Sequence, residues 1–317
     1  MSASPVLLEP TGGRTRRWTT RAVGWRSFLS RLLHRPEGAI GVAIIVFFAV
    51  LALAPGVFVG PLETVTNSSG KRLEPPSLQH LLGTDNLGRD VLNLTVHGAR
   101  ISMLIGLLAT VVTLVIGALL GIVSGFVGGR TDTVIMRITD FFLVLPTFVL
   151  ALIIAPIVLD IIGTGEILGI RTTLFVIVIV IGITSWATTA RIIRSQTLSI
   201  RERMFVDRAR VIGGSSGHIM RRHILPNVVN LIVANTVLTF SGAVFTETTL
   251  SFIGLGDPFQ PSWGQVLNAA QSAGAPGLGA WWYIAPPAAC VVLVILAFTL
   301  VGNALDDILN PKRRARR

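Results

Sequence analysis

Six apolar stretches constrain this chain more than anything else in it. They lie near residues 39–60, 101–127, 133–159, 173–190, 228–248 and 283–304. Each approaches the roughly 20 residues that a helix needs to cross about 30 Å of hydrocarbon. Lipid offers no partner for backbone N–H and C=O groups, so such stretches must bond internally as helices. The expectation is therefore an all-α membrane protein with six transmembrane helices. Composition agrees: 51% of residues are hydrophobic and only 14% charged, against roughly 25% charged in ordinary soluble domains. The first stretch ends in Ala52, Leu53, Ala54, which resembles a signal-peptidase site. However, 38 residues precede a run of 22, too long for a secretory leader, so this stretch reads as an anchor.

A net charge of +11 would suit nucleic acid if the basic residues clustered on one surface, but their distribution follows the candidate spans instead. Seven Lys and Arg fall in residues 1–38. Arg130 and Arg137 flank the second connection, eight arginines lie between spans four and five, and five basic residues follow span six. The alternate connections hold only Lys71, Arg72, Arg89 and Arg171, with Arg100 at the foot of span two. This asymmetry is the positive-inside pattern for a multi-pass protein of the bacterial cytoplasmic (inner) membrane with both termini cytoplasmic, with no nucleic acid among its partners. Three regions follow: a basic arm at 1–38 whose Trp18 and Trp25 suit the headgroup layer, a transmembrane domain at 39–310, and a basic tail at 311–317. Cys290, the single cysteine, falls in span six and reads as a packed apolar residue.

Between the spans, Gly83, Thr84 and Asp85 supply turn and N-cap chemistry ahead of an amphipathic helix entering span two. Gly117, Gly121 and Gly125 repeat every four residues, which bares one helical face for close packing against another helix; a substrate groove is the alternative. Span three is interrupted by Pro146 and carries Asp140, a carboxylate that is costly at that depth unless paired, hydrated or close to the interface. The connection 251–282 contains no Lys or Arg. With Trp263 and the run Trp281, Trp282, Tyr283, it reads as an ordered cap at the outer interface.

The segment 201–227, RERMFVDRARVIGGSSGHIMRRHILPN, packs six arginines and two histidines into a greasy protein. Residues 201–212 read as one helix with Phe205, Ala209 and Ile212 on its apolar side. Gly213 and Gly214 stop it, and Ser215 or Ser216 caps a second short helix running to Pro226. Gly213 to Gly217 also spell G-x-S-x-G, with His218 adjacent, so a membrane serine hydrolase using Ser215 has to be considered. That elbow needs a strand before the serine, whereas an arginine-rich helix stands there. Arg191 and Arg194 keep a voltage-sensor spacing for only one step. Attraction to anionic lipid accounts for the charge but not for the helix–turn–helix pattern.

This segment resembles the EAA loop of inner-membrane subunits of ATP-binding cassette importers. Asp207 stands at the motif's Glu, Arg208 and Ala209 at its two Ala positions, Gly213 at its Gly, and Leu225 and Pro226 at its close. Asp keeps the charge on a shorter arm, and Arg208 replaces a small side chain. LLGTDNLGRDVLNLTVHGARISMLIGLLA, GFVGGRTDTVIMRITDFFLVLPTFVLAL, ETTLSFIGLG with PSWGQVL, and LAFTLVGNALDDILNPKRR are similar to the C-type permease subunit of dipeptide and oligopeptide (peptide/nickel) transporters. The resemblance covers most of residues 38–315.

It implies a type I ABC importer permease fold with a cytoplasmic coupling helix. Phe205, Asp207, Arg208, Ala209, Arg210, Gly213, Gly214, Ser215, Leu225 and Pro226 would form the surface that docks an ATPase subunit. The implied partners are a homologous B-type permease subunit, two ABC ATPase subunits, an extracytoplasmic solute-binding protein and the lipid bilayer. The chain needs no cofactor of its own. Its only lysines, Lys71 and Lys312, sit in no phosphate-cradling glycine loop, so ATP and Mg would be bound by the ATPase subunits. No span offers an obvious charged pocket for peptide termini, and a nickel complex, glutathione or haem remains an alternative cargo.

Overall fold

The computed structural model describes residues 30–163, 165–167 and 170–309. Trp18, Trp25, Lys312 and the tail 311–317 lie outside the described residues. In chain order the elements are α1 (Pro36–Leu53), α2 (Pro55–Val59), α3 (Val91–Val127), α4 (Gly129–Val144) and α5 (Thr147–Ile162). A two-residue antiparallel pair, β1 (Glu166–Ile167) and β2 (Ile170–Arg171), follows. The remainder comprises α6 (Thr172–Arg201), α7 (Met204–Val211), α8 (Ser216–Ile219), α9 (Leu225–Leu250), α10 (Trp263–Ser272) and α11 (Trp281–Leu309). Five helical runs are long and apolar enough to span a bilayer, and α4 with α5 make a sixth crossing if taken together.

That third crossing, expected over 133–159 with an interruption at Pro146, is sharply bent there. The two helices meet at 94°, because Pro146 cannot donate to a helical ladder and drives Leu145 to an extended conformation (φ −81°, ψ 131°). Past the bend, α5 packs on α6, with Ala151 and Ala155 in one apolar cluster with Ile177 and Ile181 of α6 and Ile105 and Ala109 of α3. Before it, Phe142 of α4 meets Trp186 edge-on at 5.5 Å between ring centres.

Helix α3 runs farther than its apolar stretch. Its N-cap is Asp90, whose carboxylate accepts from the amides of Leu92 (2.6 Å) and Asn93 (3.3 Å). Of the expected turn and N-cap residues Gly83, Thr84 and Asp85, none caps the helix; Asp85 closes the preceding loop, accepting from the Leu87 and Arg89 amides and pairing with the Arg89 guanidinium at 2.7 Å. A further turn through Gly88 (φ +81°) delays the helix by five residues.

The centre of the bundle is the parallel pair α3 and α6. A Cβ on Gly117 would lie 2.7 Å from Thr189 Cβ, one on Gly121 2.6 Å from the Ala190 carbonyl, and one on Gly125 2.8 Å from Thr197 Cβ. A Cβ on Gly182, on the α6 side, would come 2.3 Å from Val112 Cγ1. With little hydrophobic drive between helices in lipid, such backbone proximity and the dispersion it permits hold spans together. Around this pair, α9 packs on α3, α11 on α9 and α1 on α11. An Arg35–Asp307 ion pair of 2.7 Å ties the start of α1 to the end of α11.

At the end opposite α7, residues 251–282 form a lid. Trp263 is fully buried rather than interfacial: its indole N–H donates to the Thr95 carbonyl at 3.0 Å and its amide to Ser102 Oγ at 3.1 Å. Tyr283 is also buried, its hydroxyl 3.2 Å from Asn86 Oδ1, and Trp282 donates to the Thr84 carbonyl. Only Trp281 is largely exposed. An aromatic ring with one polar handle suits a wet interface or a buried carbonyl equally well, so composition alone does not separate the two. Glu247, fully buried where α9 meets the lid, accepts from Ser251 Oγ at 2.8 Å.

Gly121→Leu is expected to lose about 1–3 kcal/mol through overpacking, seen as a lower thermal midpoint in mild detergent. Gly242→Ala, where a Cβ meets nothing within 4 Å, is expected to stay within about 0.5 kcal/mol of the parent; equal losses would contradict the assigned contact.

Candidate functional site

The segment 201–227 is built in three pieces. Helix α6 continues past its apolar stretch to Arg201, whose guanidinium reaches back to the Phe126 carbonyl at 3.2 Å and so caps the C-terminal end of α3. The chain breaks at Glu202 and Arg203 and restarts as α7, so 201–212 is not one helix. Of the expected apolar side, Ala209 is buried, whereas Phe205 is 38% and Ile212 86% exposed. Val206 is buried with Ala209, and the two belong to one apolar cluster with Ile122 and Phe126 of α3, Ile193 and Ile200 of α6, and Val228 of α9.

The turn after α7 uses its two glycines for different reasons. Gly213 adopts φ +85°, a left-handed position that costs an L-residue energy. Its amide donates to the Arg210 carbonyl and the Gly214 amide to the Ala209 carbonyl, both at 2.9 Å, which is the Schellman closure. Gly214 is excluded from bearing a side chain by proximity, since a Cβ would sit 2.7 Å from the Ala209 carbonyl oxygen. Ser215 then caps α8, its Oγ accepting from the His218 amide at 3.4 Å. Pro226 does not end a separate short helix as expected. A π-helical turn at Met220–Ile224 carries the chain from α8 into α9, with Pro226 in the first turn, where its missing N–H is tolerated.

The outer face of α7 is both apolar and charged. Met204, Phe205, Val211 and Ile212 are exposed beside Arg203, Asp207, Arg208 and Arg210. Asp207 pairs with Arg210 at 3.3 Å, and the Arg210 guanidinium stands 5.5 Å over the Phe126 ring. An open recess of 540 Å³ lies between the end of α6 and α7, lined by Ser199, Glu202, Arg203, Met204, Phe205 and Arg208. Phe205 and His218 each approach His223, with ring centres 6.2 Å apart. Leu225 and Pro226 are exposed at the base of α9.

Sequence reasoning missed the ion pairs that set this platform against the bundle. Asp132, in the first turn of α4, forms a two-pronged contact with Arg194, both N···O distances 2.6 Å, and also accepts from Ser124. Asp140 pairs with Arg191, which resolves how that carboxylate is held. Both arginines that suggested a voltage sensor are thus tied to α4. Two arginines three apart on α6 facing acids on a neighbouring basic-flanked helix was a readable signal, but nothing local identified the partners. The strand that a serine nucleophile elbow needs is replaced by α7, and Ser215 Oγ serves as a cap. Among the described residues no group of three or more His, Cys, Asp or Glu is placed to hold a metal.

Apolar helices joined through backbone-close glycines form the bundle, and a short amphipathic helix lies at one end of it. Residues 117–315 match the family described as "Binding-protein-dependent transport system inner membrane component", and the chain belongs to that family. It is 35% identical to the dipeptide transport system permease protein DppC of Bacillus subtilis, over 92% of this chain and 85% of the relative. It is 34% identical to the oligopeptide transport system permease protein OppC of the same organism, over 92% and 90%. The DppC of Alkalihalophilus pseudofirmus is 31% identical over 99% of this chain and 98% of its own.

Asp132→Ala leaves the half-buried Arg194 guanidinium without its carboxylate and is expected to lower stability by about 1–3 kcal/mol. Asp140→Ala, in a pair whose side chains are 54% and 56% exposed, should cost about 0–1 kcal/mol. Thermal unfolding of both variants, with the matching arginine variants to close double-mutant cycles, checks the order.

Proposed function

We propose that this chain forms half of the membrane pathway of an ATP-driven importer for dipeptides or oligopeptides, and that α7 is the helix through which an ATPase subunit drives it. The observation that carries the reading is mechanical. Val206 and Ala209 place the inner side of α7 in one apolar cluster with residues from the ends of α3, α6 and α9, and the turn Met220–Ile224 that follows packs on all three, while the outer face of α7 is exposed. A push on that face therefore reaches three spans as a rigid body, the kind of movement that alternates a pathway between two openings. The Schellman closure at Gly213 and Gly214 stiffens the element, and exposed Phe205, Met204 and Ile212 with a basic rim suit an apolar cleft edged with acids.

In this reading the α7 end faces the cytoplasm, in keeping with the basic residues gathered there, and Asp207 with Arg208 contacts the ATPase. ATP and Mg sit on the two ATPase subunits, a homologous permease supplies the other half of the pathway, and an external binding protein delivers cargo to the lid end. The peptide cargo is carried over from the names of the relatives.

Gly213→Leu places a Cβ where φ is positive, at a cost of about 1–2 kcal/mol. The reconstituted complex is expected to keep hydrolysing ATP while peptide uptake per ATP falls severalfold; Ser215→Ala is expected to leave uptake unchanged. Unimpaired coupling in the glycine variant would remove α7 from the drive train, and loss of function on removing the Ser215 hydroxyl would revive the hydrolase. Separately, a cysteine at Ile212 should react in intact cells only with membrane-permeant maleimides. Reaction with an impermeant reagent would invert the topology.

A further inference from the structure

At the lid end, a crevice of 430 Å³ opens between α3, the start of α6 and the loop before α10. That volume lies within the range of small-ligand sites, roughly 300–1,000 Å³. Its polar lining is His97 and Arg100 from α3, Arg171 at the N-terminus of α6, and Gln260, so it carries two guanidinium groups. Ile101, Leu104 and Leu174 form the apolar walls. His97, Arg100, Ile101 and Leu104 share one helical face at i, i+3, i+4 and i+7.

One of the two guanidinium charges there is not spent internally. Among the described residues at this end, Arg89 is satisfied by Asp85 at 2.7 Å, but Arg100 is exposed and makes no hydrogen bond, ion pair or ring contact. Arg171 is held by stacking on Phe259, 4.6 Å from the ring centre. Its nearest carboxylate, on buried Asp257, stands 3.8 Å away and also accepts from the Phe259 amide. Asp257 thus offsets one of two guanidinium charges. His97 is turned away from the charge problem, since its Nε2 lies 3.0 Å from the Gly60 carbonyl and must donate to it. The first turn of α6, with no side-chain cap, adds positive potential at the rim.

We propose that this crevice holds the terminal carboxylate of the transported peptide at the mouth of the pathway, with Arg100 as its principal partner and Arg171 held ready beside it by Phe259. Two guanidinium groups over apolar walls match a carboxylate at the end of a short chain, and the concave shape suits a chain end rather than a flat protein surface. The inference rests on the peptide-importer reading and adds the chemical group recognised.

The test uses the assembled transporter with its binding protein in proteoliposomes, supplied with a dipeptide mixture as free acids or as C-terminal amides, and read by mass spectrometry. Arg100→Gln removes a group with no internal contacts, so assembly is expected to persist. Free-acid uptake is expected to fall about tenfold while uptake of any amide delivered is unchanged. Arg100→Lys should recover part of the loss, and ATP hydrolysis stimulated by peptide-free binding protein should match the parent. Arg171→Gln is expected to act in the same direction. Equal free-acid uptake by the parent and Arg100→Gln overturns the assignment. So does a loss that tracks diminished stimulation by the binding protein, which would assign Arg100 to docking of an acidic protein surface. Absence of peptide uptake by the parent transporter overturns the peptide-importer reading itself.

Discussion

Where α3 and α6 run side by side, their backbones approach so closely that four glycines have no room for a Cβ. Everything functional in the fold is referred to that contact. It sets the ends of α3 and α6 at a common level, which is where Val206 and Ala209 of α7 find their apolar seat. It brings Arg191 and Arg194 within reach of the acids on α4. At the other end it sets Arg100 and Arg171 around one crevice. In a bilayer this arrangement cannot be left to hydrophobic burial, because lipid is as apolar as the helices; close packing and buried hydrogen bonds must supply the specificity.

The two ends of the bundle are built by different physics. At the α7 end the devices are electrostatic and capping: Arg201 on the carbonyls closing α3, Asp132 on Arg194, and a left-handed glycine closing α7. At the lid end aromatic side chains join ion pairs such as Asp85–Arg89, with Trp263, Trp282 and Tyr283 each spending a polar handle on an acceptor in α3 or the loop before it. Glu247 adds a fully buried carboxyl hydrogen-bonded to Ser251 where α9 gives way to the lid.

Some features of the sequence are locally ambiguous. Gly83, Thr84 and Asp85 carry turn and N-cap chemistry, and so does Asp90; only the extra turn at Gly88 puts the N-cap of α3 at Asp90. The helical spacing of Phe205, Ala209 and Ile212 marks an apolar side of which only Ala209 is buried; Val206, three residues before it, shares that burial. The bend at Pro146 was visible as a break, but its 94° magnitude is set by where α5 packs.

By itself, the sequence determined the class of solvent, the number of apolar runs and the asymmetric distribution of charge, because each depends on composition within a window of about 20 residues. It also contained the glycines of the turn after α7, whose reason is local backbone geometry. Which helices touch, which acid answers which arginine, and which arginine is left without a partner were decided only by the tertiary structure. Those are relations between residues 50 to 70 positions apart along α4 and α6, and no local pattern of side chains encodes the packing that brings them together.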